Sequence, residues 1–196
     1  MVLAEPLHIT QTVAHVLESL KIRYIVGGSL ASSLHGSPRA THDVDLVAEI
    51  ATHHIPALID ALQATFYIDA GMIREAIRYQ RSFNLIHLET MFKIDVFILK
   101  SDAISQEEMS RRQSYQLSES SEEALFLTSA EDIIVHKLVW YQLGGQVSER
   151  QWTDVRGVLQ VQQQDLDYAY LERVAEQRNV LPLLQQAIAE AKENVE

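Results

Sequence analysis

Arg23-Tyr-Ile-Val-Gly-Gly-Ser29, followed after thirteen residues by Asp43-Val-Asp-Leu46, is the stretch on which the fold turns. Tyr24 to Val26 is a short apolar run of strand type, and it stops at two glycines. Ser29 to Gly36 (SLASSLHG) suits a short helix that ends at Gly36. Asp43 to Ile50 (DVDLVAEI) then reads as a second strand. A strand–Gly-Gly-Ser–helix turn lets backbone N–H groups come close to a phosphate, and the helix N-terminus favours its negative charge. Gly27, Gly28 and Ser29 are therefore candidate phosphate-binding residues. The plain alternative is a tight turn without a ligand, with Ser29 as an ordinary helix cap.

Working outward, Thr10 to Leu20 places Val13, Val16, Leu17 and Leu20 on one helical face. HIPALIDALQATF reads as another helix, and RSFNLIHLE and FKIDVFILK as two strands with a turn near Glu89 and Thr90. Ser101 to Ser121 is polar and serine-rich, which predicts a flexible connection or small edge strands. Beyond it the pattern is helical to the end. Ser129 and Ser148 start capping boxes, Gly144-Gly145 separates two helices, Asp165 is a candidate cap for a third, and Leu181 to Lys192 makes a fourth. The fold class expected is α/β, or α+β: a mixed β-sheet core flanked by helices over residues 1–127, with a C-terminal helical region, 128–196, packed on it.

Strand alternation sends Asp43 and Asp45 to one face and Val44 and Leu46 to the other. Asp95 sits in Lys93-Ile-Asp-Val-Phe-Ile-Leu99, otherwise a buried-strand pattern, where a lone acid is costly unless paired or bound to a cation. The paired alternative is unfavoured for Lys93, which is expected to point to the opposite face. Three nearby carboxylates repel, each pair by about 4 kcal/mol at 4 Å and an effective dielectric of 20. A divalent cation removes that penalty, and hard oxygen donors select Mg²⁺ or Mn²⁺. Asp43, Asp45 and Asp95 are thus candidate metal ligands for a two-metal site that activates a hydroxyl and stabilises a leaving pyrophosphate. Arg39, in the loop entering the acidic strand, would contact a phosphate or balance Asp43 and Asp45.

Composition narrows the classes. The 196 residues carry a formal net charge of −11, which argues against sequence-independent coating of nucleic acid and suits a cation-dependent protein. No apolar run reaches the roughly 18 residues of a membrane span, so no membrane partner is expected. The N-terminus lacks a signal-peptide pattern, and cysteine is absent. Both predict a cytoplasmic chain. The histidines show no metal-ligand spacing, which argues against zinc.

Gly28-Ser29, thirteen residues, then Asp-Val-Asp resembles the signature of the DNA polymerase beta nucleotidyltransferase superfamily, with Asp95 matching its third acid; the match covers residues 22 to 99. GSPRATHDVDL, SAEDIIVHKLVWYQLGG and SERQWTDV are similar to the type IV abortive-infection toxin group of these nucleotidyltransferases. The resemblance implies transfer of a nucleoside monophosphate from an NTP, with Mg²⁺ or Mn²⁺, to an acceptor hydroxyl on RNA, protein or a small molecule. It also implies a toxin role with an antitoxin partner. It places an active-site lysine on Lys137 and an aspartate on Asp154. Lys137 stands out independently: Ile133, Ile134, Trp140 and Tyr141 surround it on the helix, so a phosphate or Asp154 is needed to satisfy its charge. The alternatives are a lysine snorkelling to water, and Asp154 in an exposed pair with Arg150. Trp140, Tyr141 and Trp152 read as core. For the whole chain, the rival expectation is a catalytically silent nucleotide-binding or protein-interaction module.

Overall fold

The computed structural model describes residues 4–117 and 124–193. Met1–Leu30 and Ala40–Leu127 form one compact unit, and Ala31–Arg39 and Thr128–Glu196 the other. Residues 31–39 therefore group with the distal helices, whereas the sequence alone kept all of 1–127 together.

The first unit is built on seven strands: β1 (Tyr24–Val26), β2 (Asp43–Ala48), β3 (Phe66–Tyr67), β4 (Ser82–His87), β5 (Lys93–Ile98), β6 (Gln113–Gln116) and β7 (Ala124–Leu127). Their order in the sheet is β3-β4-β5-β2-β1-β7-β6. The sheet is mixed, since β2 runs antiparallel to β1 and parallel to β5. The order of elements along the chain hides that last pairing, because β2 and β5 are neighbours only after β3 and β4 have been passed. One face of β2 is sealed by Val44, Leu46 and Ala48, and one face of β5 by Ile94, Val96 and Ile98, all buried. The alternate residues of both strands are left half-buried on the opposite side.

Helix α1 (Ala4–Ser19) begins earlier than expected, with Pro6 in its first turn, where a missing N–H breaks no helical bond. Helix α2 (Gly28–His35) starts in the first unit and runs into the second. Helices α3 (Ile55–Leu62), α4 (Ala70–Tyr79) and α5 (Ala103–Arg111) complete the first unit. Several of its elements differ from the sequence reading. The stretch before Tyr79 holds β3 and α4, and α4 starts where the Asp69 side chain accepts a hydrogen bond from the Met72 N–H. The serine-rich stretch holds α5 and β6 up to residue 117, while 118–121 lie outside the described residues. Helix α5 forms because Asp102 caps it by accepting from the Ser105 N–H and because Met109 anchors it, fully buried. Ala124–Leu127 is a strand, although the pattern there suggested helix.

The second unit contains α6 (Ala130–Leu143), α7 (Glu149–Gln162), α8 (Tyr168–Gln177) and α9 (Leu181–Glu193). Ser129 and Ser148 cap α6 and α7, and Gly145 turns between them at φ +74°. Asp167, not Asp165, caps α8. Asp132 is fully buried in α6, where the Ser129 and Tyr170 hydroxyls donate to its two oxygens at 2.8 and 2.6 Å. The end of α2 lies against α7 so closely that a Cβ on Gly36 would be 2.8 Å from the Gly157 carbonyl carbon. Of the aromatic residues expected in the core, Trp140 is 60% exposed. Trp152 packs on Tyr141, with 5.0 Å between rings, and donates to Glu190. Among the described residues no helix is long and apolar enough to cross a membrane.

Candidate functional site

In the first unit the acids meet through the parallel pairing of β2 with β5. The register sets Asp45 opposite Asp95 and Asp43 opposite Lys93. All four side chains therefore share the half-buried face, away from the core. The glycine turn is tied to the same place. Gly27 donates its N–H to the Asp45 carbonyl oxygen at 2.8 Å. Gly28 has φ +58°, and a Cβ built on it would collide with the Asp45 carboxylate. Glycine is thus required twice over, by the backbone angle and by the carboxylate that fills the space of a side chain. Ser29 lies inside the first turn of α2 rather than ahead of it, so the simple capping role does not describe it. The Asp43 carboxylate sits beside Thr41, whose hydroxyl donates to the Asp43 carbonyl oxygen at 2.8 Å.

Lys93 corrects the sequence reading. Two residues from Asp95 on one strand, it faces the same way, and its Nζ lies 2.7 Å from Asp95 Oδ2. Among the described residues no three His, Cys, Asp or Glu side chains already have the spacing to hold a metal ion. The donor types are those that a hard cation selects. Three carboxylates and one ammonium leave two negative charges on this face of β2 and β5, and hard carboxylate oxygens favour Mg²⁺ or Mn²⁺.

Gly28→Ala is expected to lower stability by at least about 2 kcal/mol. A left-handed angle alone costs an L-residue about 1–2 kcal/mol, before the Asp45 carboxylate is displaced. Urea unfolding measures it; an unchanged midpoint would mean that the turn relaxes freely.

In the second unit three of the candidate residues converge. Lys137 on α6 and Asp154 on α7 are both buried, and Nζ donates to Asp154 Oδ2 at 2.8 Å. Arg39 clamps the same carboxylate with two N–H bonds, Nε to Oδ1 at 2.8 Å and an Nη to Oδ2 at 2.7 Å. Ser32 on α2 lies 3.4 Å from Oδ2. Of the two partners considered for Lys137, Asp154 is the one in contact. Arg39 pairs with Asp154, and Asp154 is buried rather than in an exposed pair. Burial pushes the Asp154 carboxyl up, but the hydrogen bonds and charges of Arg39 and Lys137 outweigh it and hold it below the usual range. Nothing in the sequence between residues 39 and 154 announced the Arg39 contact.

A mixed sheet with a strand–glycine–helix turn beside paired acids is the nucleotidyltransferase type of fold. The chain is similar over 93% of its length to 91% of an antigenic nucleotidyltransferase-like protein from Paracoccidioides brasiliensis, at 20% identity and a TM-score of 0.53. It is also similar over 90% of its length to 98% of ANT(2″)-Ia, whose structure is a complex with adenylyl-2″-tobramycin, at 10% identity and a TM-score of 0.54. At these identities the likeness is one of fold. No family model and no curated protein matches the sequence.

Proposed function

We propose that the chain is a metal-dependent nucleotidyltransferase that moves a nucleoside monophosphate from an NTP to an acceptor hydroxyl. The observation that carries this reading is the in-register meeting of Asp45 and Asp95, with Asp43 on the same face and the Gly28 turn against Asp45. Asp43, Asp45 and Asp95 would hold Mg²⁺ or Mn²⁺. Bound there, the metal would lower the pKa of the acceptor hydroxyl and neutralise charge on the leaving pyrophosphate. Asp95 would help take the acceptor's proton. The acceptor oxygen forms the new bond to the α-phosphorus as the bond to the bridging oxygen breaks and pyrophosphate departs. The N–H groups of Gly28 and Ser29 and the Ser29 hydroxyl hold the β- and γ-phosphates.

In the second unit Asp154 fixes Lys137 and Arg39, and the three groups keep one net positive charge. The phosphate-neutralising role read from the apolar surroundings of Lys137 requires its ammonium to exchange Asp154 for a phosphate oxygen. ATP, GTP, CTP and UTP, each labelled on the α-phosphate and incubated with Mg²⁺, total RNA and cell lysate, test the reading. Label should move to a macromolecule or small acceptor with wild type and not with Asp45→Ala. No difference between the two proteins with any nucleotide would sink it and favour the catalytically silent module, which the Lys93–Asp95 ion pair otherwise supports best.

The narrower toxin reading rests on the sequence resemblance. Its expected result is growth arrest on expression in the cytoplasm, relieved by Asp45→Ala and by a co-expressed antitoxin. Normal growth with demonstrable transfer activity would leave a free-standing enzyme.

A further inference from the structure

The acidic face of β2 and β5 already contains a cation. Lys93 is the cross-strand neighbour of Asp43 and lies two residues from Asp95, so it shares one face of the sheet with the acids of both strands. Its ammonium contacts Asp95 Oδ2 at 2.7 Å. The proton on Lys93 is held more tightly than usual, first by the Asp95 hydrogen bond, against some loss of hydration, then by the charges of Asp95, Asp43 and Asp45. All three acids thus act on one ammonium.

Two consequences follow from elementary electrostatics. Like charges directly opposite on neighbouring strands, as Asp45 and Asp95 are, destabilise a sheet unless a counter-charge lies near. Lys93 supplies that counter-charge. It also occupies an oxygen of Asp95 and repels any second cation arriving there. The Lys93 side chain is 41% exposed, and its flexible four-carbon stem allows the head to turn into water.

The geometry points to Lys93 as a resident counter-cation, which holds the three carboxylates together in the metal-free protein and leaves Asp95 when a divalent cation binds. Lys93 is a positioning residue in this scheme, acting on the acids rather than on the nucleotide. The inference rests on the reading of Asp43, Asp45 and Asp95 as metal ligands.

Mn²⁺ titrated into the full chain without nucleotide tests it, read by calorimetry and by the shift in melting temperature. Lys93→Met keeps the stem and removes the charge; Lys93→Gln does so with a polar end; Lys93→Arg keeps the charge. Both neutral variants are expected to bind Mn²⁺ about three- to fivefold more tightly than wild type, the size of effect that a part-exposed ion pair supplies. Without metal they should melt lower, and Mn²⁺ should raise their melting temperature by more. Lys93→Arg should resemble wild type. Equal affinity in wild type and both neutral variants overturns the counter-cation and leaves the metal site intact. No saturable binding to wild type or the Lys93 variants, or binding that Asp45→Asn leaves unchanged, overturns the metal site itself, and the inference with it.

Discussion

Asp45→Asn is expected to reduce nucleotidyl transfer by about a thousandfold or more while leaving the melting temperature unchanged or slightly higher. The activity term follows from the several kcal/mol that a metal supplies to a transition state, each 1.36 kcal/mol being about tenfold in rate. An amide is a neutral, weaker ligand, and it leaves Asp43 and Asp95 without the residue that joins them to the glycine turn. The stability term has the opposite sign. Asp45 and Asp95 are directly opposed like charges, and removing one relieves at most a repulsion of about 0.2–1 kcal/mol, part of which Lys93 already offsets. For a chain of this size that corresponds to at most roughly 0.5–4 °C. Asparagine keeps the shape that packs against Gly28, so no new space opens. Steady-state transfer assays and thermal melts on the same preparation read the two terms. Falling activity with a falling melting temperature would mean that Asp45 is a structural residue, and undiminished transfer would remove it from the chemistry.

The shared face of Asp43 and Asp45 was legible in the sequence because strand alternation is a local rule. Their meeting with Asp95 was expected from the resemblance and from the cost of a lone acid in a buried strand. The register that sets Asp45 opposite Asp95 was not readable, because it depends on packing across some fifty residues of intervening chain. Lys93 shows the opposite case: the same alternation rule, applied evenly, places it beside Asp95, and the error lay in sending it to the other face. Helix α4 escaped notice because its buried face is sparse, resting on Ile73 and Ala76. Over residues 101–117 the expected small edge strand is present as β6, but the many serines hid α5, for which Asp102 is a sound cap and Met109 a sound anchor. Strand β7 is four residues long and reads like the start of the helical region that follows it. Arg39 and Asp154 are separated by 115 positions, and a contact of that kind leaves no trace in spacing. The distal lysine and aspartate could be paired in advance because the resemblance placed both in one site and because Lys137 stood in an apolar stripe that demanded an anion.

That demand makes Asp154→Ala the most damaging single change expected for the folded state. The substitution removes a carboxylate that is 6% exposed and leaves Lys137, also 6% exposed, and Arg39, 24% exposed, without their shared anion. Breaking a buried ion pair from one side costs about 3–5 kcal/mol, and the partial exposure of Arg39 argues for the lower end, about 3 kcal/mol. The melting temperature should fall by about 6–12 °C. Lys137→Met should cost less, since Asp154 keeps both bonds from Arg39. The double variant Lys137→Met/Asp154→Leu should recover part of the loss, because the buried cation goes together with its anion. The pH dependence carries a definite sign. Arg39 and Lys137 overcome burial and hold the folded-state pKa of Asp154 below its ordinary value of 3.8. Its contribution is therefore complete above that value and fades as pH falls through the lower folded-state value. The gap in stability between wild type and Asp154→Ala should be constant near neutrality and close progressively below about pH 4. A gap that instead widened in acid would mean that the carboxyl is protonated in the folded protein and that Lys137 draws its stability from another source.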